Sequence, residues 1–274
     1  MEKPALVASD VDGTLLDPME RVRPRTAAAV RRVAAAGVPF VLVTGRPPRW
    51  VQPVARGVGV GGLAVCANGA VLYDAAEDRV LNAITLGPVL LQDAALALRE
   101  AMPGCAFAVE RITNGAGQFR AENRYRHFLA EPDYEHAWPD ADSDEAPPAE
   151  VLGHPAIKLL VRHRDMVSVE MAAVARDTLG SAVDITFSTG AGLLELSPPG
   201  VTKGTGLAAV AGRLGVPAAD VVAFGDMPND LAMLAWAGHG VAMANAHPEV
   251  LAVADEITGP NTEDGVAQVL ERWF

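Results

Sequence analysis

Residues 38–43 read Val-Pro-Phe-Val-Leu-Val, an apolar run without the polar alternation of a half-exposed strand. Such a strand needs cover on both faces, which a parallel sheet between two helix layers provides. The flanking segments agree. Residues 5–9 form another short apolar run, followed by the turn signal Asp12-Gly13. Residues 26–36 place Ala29, Val30 and Val33 at helical spacing and stop at Gly37, while residues 48–56 and 63–67 read as a further helix and strand. Strand–helix–strand–helix order predicts an α/β fold with a Rossmann-like parallel-sheet core.

The same pattern returns near the C-terminus. A helix over 203–214 is followed by strands at 221–224 and 240–243, with a helix after Pro228 between them and a last helix from Glu263. The stretch between the halves has isolated helices, short strands and long polar connections. Residues 131–150 are rich in Asp, Glu and Pro and carry no Lys or Arg, which predicts a solvated loop. The expected organisation is a core of residues 1–83 and 190–274, with an α+β domain inserted at 84–189. A length of 274 residues suits two domains at ~150 residues each.

The balance of 22 Lys and Arg against 34 Asp and Glu gives a formal charge of −12. Nucleic acid and anionic membranes are therefore poor partners, since no positive excess is present to track phosphates. An anionic substrate must be held by a few placed cations or by a metal. Cys66 and Cys105 are the chain's 2 cysteines, which excludes a disulfide scaffold and fits a reducing, cytoplasmic setting. Neither a signal peptide nor a membrane span is expected; the apolar stretch 57–73 is interrupted by glycines and Asn68.

Four short segments carry chemistry: Asp10-Val11-Asp12-Gly13-Thr14, Thr44-Gly45-Arg46, Lys203-Gly204 and Gly225-Asp226-Met227-Pro228-Asn229-Asp230. Three follow predicted strands, and strand carboxyl ends meet at the ligand crevice of an open parallel sheet. Asp10 and Asp12, one residue apart in extended chain, are expected to point the same way. Asp226 and Asp230 are expected on one helix face. So many carboxylates repel unless a cation neutralises them, and an oxygen-rich set with few imidazoles suits Mg²⁺. Lys203 in the first turn of a helix opposes the macrodipole, which an anion beside it would explain. Together these residues describe a phosphate site with a carboxylate available as nucleophile.

In this order, DVDGT, TGR, KG and GDMPND resemble the four motifs of the haloacid dehalogenase-like phosphatases. The closest similarity is to the Cof-type subfamily, whose type IIB cap is inserted between the second and third motifs. The likeness extends to Ala67-Asn68-Gly69-Ala70, Leu194-Glu195-Leu196, Ala242-Met243-Ala244-Asn245-Ala246 and Glu263-Asp264-Gly265-Val266. It implies a Mg²⁺-dependent phosphatase acting on a small phosphorylated metabolite, such as a sugar phosphate, nucleotide or pyridoxal phosphate. By the resemblance, Asp10 forms an aspartyl-phosphate, and Asp12 is first acid and then base. Thr44, Gly45, Lys203 and Asn229 hold the phosphoryl group. Asp10, the backbone carbonyl of Asp12, and Asp226 ligate Mg²⁺, with Asp230 as ligand or support.

Arg46 and Asn68 are further candidates for substrate contact. So is Lys158, which lies in an apolar stretch at 157–161 and either reaches substrate or marks an edge strand. The histidines at 127, 136, 154, 163, 239 and 247 have no metal-ligand spacing. A phosphomutase using the same intermediate is the nearest alternative, although GDMPND lacks the longer fourth motif of similar mutases. A binding protein that keeps the fold without turnover is another.

Overall fold

A computed structural model of the chain describes residues 2–112, 127–136 and 144–274. The chain forms two compact units, Met1–Leu81 with Thr202–Phe274, and Asn82–Val201. In chain order the first half of the core holds β1 (Leu6–Ser9), α1 (Pro24–Ala35), β2 (Phe40–Val43), α2 (Pro48–Val58), β3 (Leu63–Cys66), β4 (Val71–Asp74) and β5 (Arg79–Ala83). The insertion contributes α3 (Pro88–Ala101), β6 (Ala106–Glu110), β7 (Phe128–Ala130), β8 (Asp144–Glu145), α4 (Pro148–Val151), β9 (Lys158–Arg162), α5 (Ser168–Leu179), β10 (Asp184–Thr186) and β11 (Leu193–Ser197). The core resumes with α6 (Lys203–Leu214), β12 (Val221–Gly225), α7 (Leu231–Trp236), β13 (His239–Met243), α8 (Pro248–Leu251), β14 (Glu256–Thr258) and α9 (Gly265–Leu270).

The core sheet has the order β14-β13-β12-β1-β2-β3-β4-β5. From β14 to β3 every pairing is parallel, and β4 returns antiparallel to β3. All four residues of β1 and of β2 are buried, as two-sided cover requires. Strand order reverses at β1, which lies between β2 and β12. In register, Ser9 stands between Leu42 and Phe224. The chain therefore leaves β1, β2 and β12 at one level, at the switch point where such sheets open a crevice.

Helix α6 starts where the sequence predicts because Thr202 and Thr205 cap it reciprocally. The Thr202 hydroxyl accepts from the Thr205 N–H at 3.1 Å, and the Thr205 hydroxyl accepts from the Thr202 N–H at 2.9 Å. Gly215, left-handed at φ +69°, ends it. Leu207, Val210 and Ala211 of this helix pack against Val41, Val43 and Val65 of the sheet and Met233 of α7 in the core cluster.

The inserted unit has its own sheet, ordered β10-β11-β9-β6-β7-β8 and antiparallel except between β7 and β8. Its apolar cluster joins Ala106, Ala108, Phe128, Ala130, Tyr134, Leu160 and Leu193. Two expectations are corrected here. Residues 190–201, assigned to the core from sequence, belong to the insertion, because β11 pairs with β9 and β10. Residues 131–150 are not wholly a solvated loop: Glu131, Tyr134 and Ala146 are buried, β8 falls within the segment and α4 begins in it. Residues 137–143 of that expected loop lie outside the described residues.

Candidate active site

Four loops of the core unit converge. The backbone N–H of Asp10 donates to the Phe224 carbonyl at 2.9 Å, which ties the end of β1 to the end of β12. The loop after β1 then turns tightly at Gly13, with φ +78°. A Cβ there would lie 2.2 Å from Asp226 Oδ2, so only glycine fits both the backbone and the space. Next, the Thr14 hydroxyl donates to Asp226 Oδ1 at 2.9 Å, and Asn245 Nδ2 donates to the Gly13 carbonyl at 2.8 Å. Thr14 and Asn245 carry roles that sequence motifs alone did not assign, since their partners stand 212 and 232 residues away.

Lys203, 1% exposed at its side chain, lies between two carboxylates. Its Nζ donates to Asp10 Oδ1 at 2.5 Å and to Asp230 Oδ1 at 2.6 Å. These anions answer the macrodipole problem that its place at the start of α6 creates. The other oxygen of Asp230 accepts the N–H groups of Asp226 at 2.9 Å and Met227 at 3.0 Å. Asp226 and Asp230 thus meet through a side chain folded back on backbone, not as neighbours on a helix face. Asp230 precedes α7, so the helix expected to carry both begins after them.

Carboxylate oxygens of Asp10, Asp226 and Asp230 all lie within 4.8 Å of one another, in a buried setting. Among the described residues this is the one group of three or more His, Cys, Asp or Glu side chains close enough to share a metal ion. Burial raises the Asp10 carboxyl well above its usual range; Lys203 opposes that rise, and Asp230, Asp226 and Asp12 add to it. Burial, then the charge of Asp230, pushes Asp226 up to about 7, against the Thr14 hydrogen bond and Lys203. The two carboxylates raise Lys203 in turn, although burial works against its charge. Asn229 Nδ2 donates to Asn68 Oδ1 at 3.1 Å, while Asn229 Oδ1 is buried without a hydrogen-bond partner. Buried carboxylates that repel one another, beside an unused amide oxygen, form a donor set that fits a hard divalent cation.

Asp12 stands outside this group. Extended chain would point it with Asp10, but β1 ends at Ser9 and the backbone between the two aspartates turns helical at Val11. Its carboxylate accepts from Arg46 Nε at 2.8 Å and from an Arg46 terminal nitrogen at 2.5 Å. Thr44 is fully buried; its hydroxyl oxygen accepts the Arg46 N–H at 3.0 Å, and its carbonyl accepts the Asn68 N–H at 3.1 Å. Gly45 joins these two residues. Asn68 adopts φ +55°, which Asn tolerates better than most residues.

Lys158 belongs to the inserted unit, where its ammonium is paired with buried Glu195, which also accepts from Ser188. The edge-strand reading of Lys158 is overturned: β9 lies between β11 and β6. Glu195 lies in the Leu194-Glu195-Leu196 segment, and nothing local in the sequence marks it as the partner of Lys158. No helix among the described residues is long and apolar enough to cross a membrane.

The chain is 28% identical to the HMP-PP phosphatase of Serratia proteamaculans over 273 residues, covering 98% of this chain and 95% of the relative. A solved haloacid dehalogenase-like hydrolase from B. subtilis superposes with a TM-score of 0.78 at 25% identity, covering 98% of this chain and all of the other. A solved sugar phosphatase of haloacid dehalogenase subclass IIB shares the fold, with a TM-score of 0.80 at 20% identity over 97% and 98% of the two chains. The family model for haloacid dehalogenase-like hydrolases matches residues 7–270, and the chain belongs to that family.

Proposed function

We propose that the protein is a cytoplasmic, Mg²⁺-dependent phosphatase that hydrolyses phosphate monoesters of small metabolites through a phosphorylated Asp10. The observation that carries this reading is the burial of Lys203 between Asp10 and Asp230, at the strand ends where Asp226 and Thr44 also lie. A fully buried lysine at a helix start, facing a reactive carboxylate, suits a dianionic group.

Asp10 attacks phosphorus, forming an acyl-phosphate bond as the ester P–O bond breaks. Asp12 gives its proton to the departing alcohol oxygen. It then takes a proton from the water that attacks the phosphorylated Asp10, which releases inorganic phosphate and restores both carboxyl groups. Lys203 and the backbone of Gly45 hold phosphoryl oxygens. Thr44 accepts the Arg46 N–H, which leaves its O–H to donate to the phosphoryl group. Asp10, the Asp12 carbonyl and Asp226 would hold Mg²⁺, with Asn229 beside it. When bound, the ion offsets the charge of the phosphoryl oxygens. Asp230 supports the site from behind, since both its oxygens are occupied by Lys203 and backbone N–H groups. Asn68 orients Asn229.

Phosphate release is measured on p-nitrophenyl phosphate and a panel of sugar phosphates, nucleotides, pyridoxal phosphate and HMP-PP, with Mg²⁺ or EDTA. Turnover should require Mg²⁺ and vanish in Asp10→Asn. Turnover that survives that substitution, or none on any ester from folded protein, sinks the proposal.

A further inference from the structure

Arg46 has a role that its place in a phosphate-site loop does not suggest. Its guanidinium grips the Asp12 carboxylate as a two-pronged fork, at 2.8 and 2.5 Å, and one of the same nitrogens lies 3.5 Å from Glu20. We propose that Arg46 is a positioning residue for Asp12, steadied from behind by Glu20. The inference rests on the phosphatase reading, in which Asp12 moves the protons.

Three features of the geometry support it. First, the Asp12 side chain is 53% exposed, so packing alone does not fix its rotamer. A planar fork does, whereas a point charge would not. Second, the Arg46 backbone is tied on both sides: its N–H donates to the Thr44 hydroxyl at 3.0 Å, and its carbonyl accepts the Ala67 N–H at 3.0 Å. The fork is thereby indexed to the loop that holds Thr44. Third, Glu20 is carried in a turn with φ +55°, uncommon for a non-glycine residue. Asp17 organises that turn by accepting from Met19 N–H at 2.8 Å and Arg21 N–H at 3.0 Å. A partly exposed ion pair contributes little to folding. Orientation is where its effect falls, because small misplacements of a proton-transfer group slow reaction steeply.

The test separates positioning of Asp12 from a grip on substrate. A nitrophenolate departs without being protonated, whereas an alkoxide needs the acid. In Arg46→Ala, kcat/KM for the best alkyl phosphate of the panel should fall by roughly 100-fold or more, and that for p-nitrophenyl phosphate by less than about fivefold. The base step also slows, so p-nitrophenol should appear as a burst followed by slow turnover. Glu20→Gln should show the same selectivity at about threefold. Equal loss on both esters, or a loss carried by KM, overturns the inference and makes Arg46 a substrate ligand. Arg46→Lys keeps the charge and loses the fork; it should show the same pattern at about tenfold, and it carries the test if circular dichroism shows that Arg46→Ala does not fold. Wild-type protein inert on every ester refutes the phosphatase reading and this inference together; an active wild type with uniform loss in the variants refutes this inference alone.

Discussion

Replacing Lys203 by Met removes the charge between Asp10 and Asp230 while keeping a long apolar stem, so the loss is mainly electrostatic. Breaking a buried ion pair costs about 3–5 kcal/mol, because the partner is left charged and dry. Here one ammonium serves two carboxylates, 2.5 and 2.6 Å away, which places the expectation at the upper end at pH 8. A stranded carboxylate can escape by taking a proton. Relative to an unfolded carboxyl, that costs about 5–6 kcal/mol at pH 8 but only about 1.5 kcal/mol at pH 5. The destabilisation should therefore be about 4–5 kcal/mol at pH 8 and at most about 3 kcal/mol at pH 5, about 1.5 kcal/mol for each of the two carboxylates. Urea unfolding of wild type and Lys203→Met in EDTA, at both pH values, measures this directly. Addition of Mg²⁺ at pH 8 should recover part of the loss, since a cation at Asp10 and Asp226 replaces some of the missing charge. A pH-independent difference, or one below about 1 kcal/mol at pH 8, would refute the argument that Lys203 neutralises the carboxylates.

Two further outcomes follow from the same cluster. With Asp226 raised to about 7, the folded protein holds a proton that the unfolded chain has lost between about pH 4 and 7, so this group's stability contribution is present at low pH and declines as pH rises through that window. In EDTA, wild type measured against Asp226→Asn should show a slope of up to about 1.4 kcal/mol per pH unit there, and Mg²⁺ titrated in at pH 6 should release protons; calorimetry in buffers of different ionisation enthalpy would expose the absence of release. Gly13→Ala combines an unfavourable φ with a methyl group 2.2 Å from Asp226 Oδ2, so it should weaken Mg²⁺ binding by tenfold or more in titration calorimetry, and unchanged affinity would place the ion elsewhere.

Much of the core was legible because its signals are local. Residues 38–43 and 221–224 announce two-sided strands by apolar content alone, and the helix read over 203–214 matches α6 at both ends. The order of the four motifs placed Asp10, Thr44, Lys203 and Asp226 at strand or helix ends, and a parallel sheet brings such ends together without detailed knowledge of its register. The inserted domain was less legible. Its antiparallel partners are distant in sequence, and β11 reads as part of the core because its apolar residues suit either sheet until the pairing with β9 and β10 is known.

The sequence by itself determined the α/β class, the existence of an insertion and the carboxylates, lysine and threonine from which the proposed site is built, since periodicity, caps and motif order are properties of neighbouring residues. Tertiary structure alone decided how those groups are divided. Asp10 and Asp12, two positions apart, part company: one is buried against Lys203, 193 residues away, and the other is clasped by Arg46, 34 residues away. Direction, burial and charge pairing depend on what the rest of the chain places opposite each side chain, and no local pattern records that.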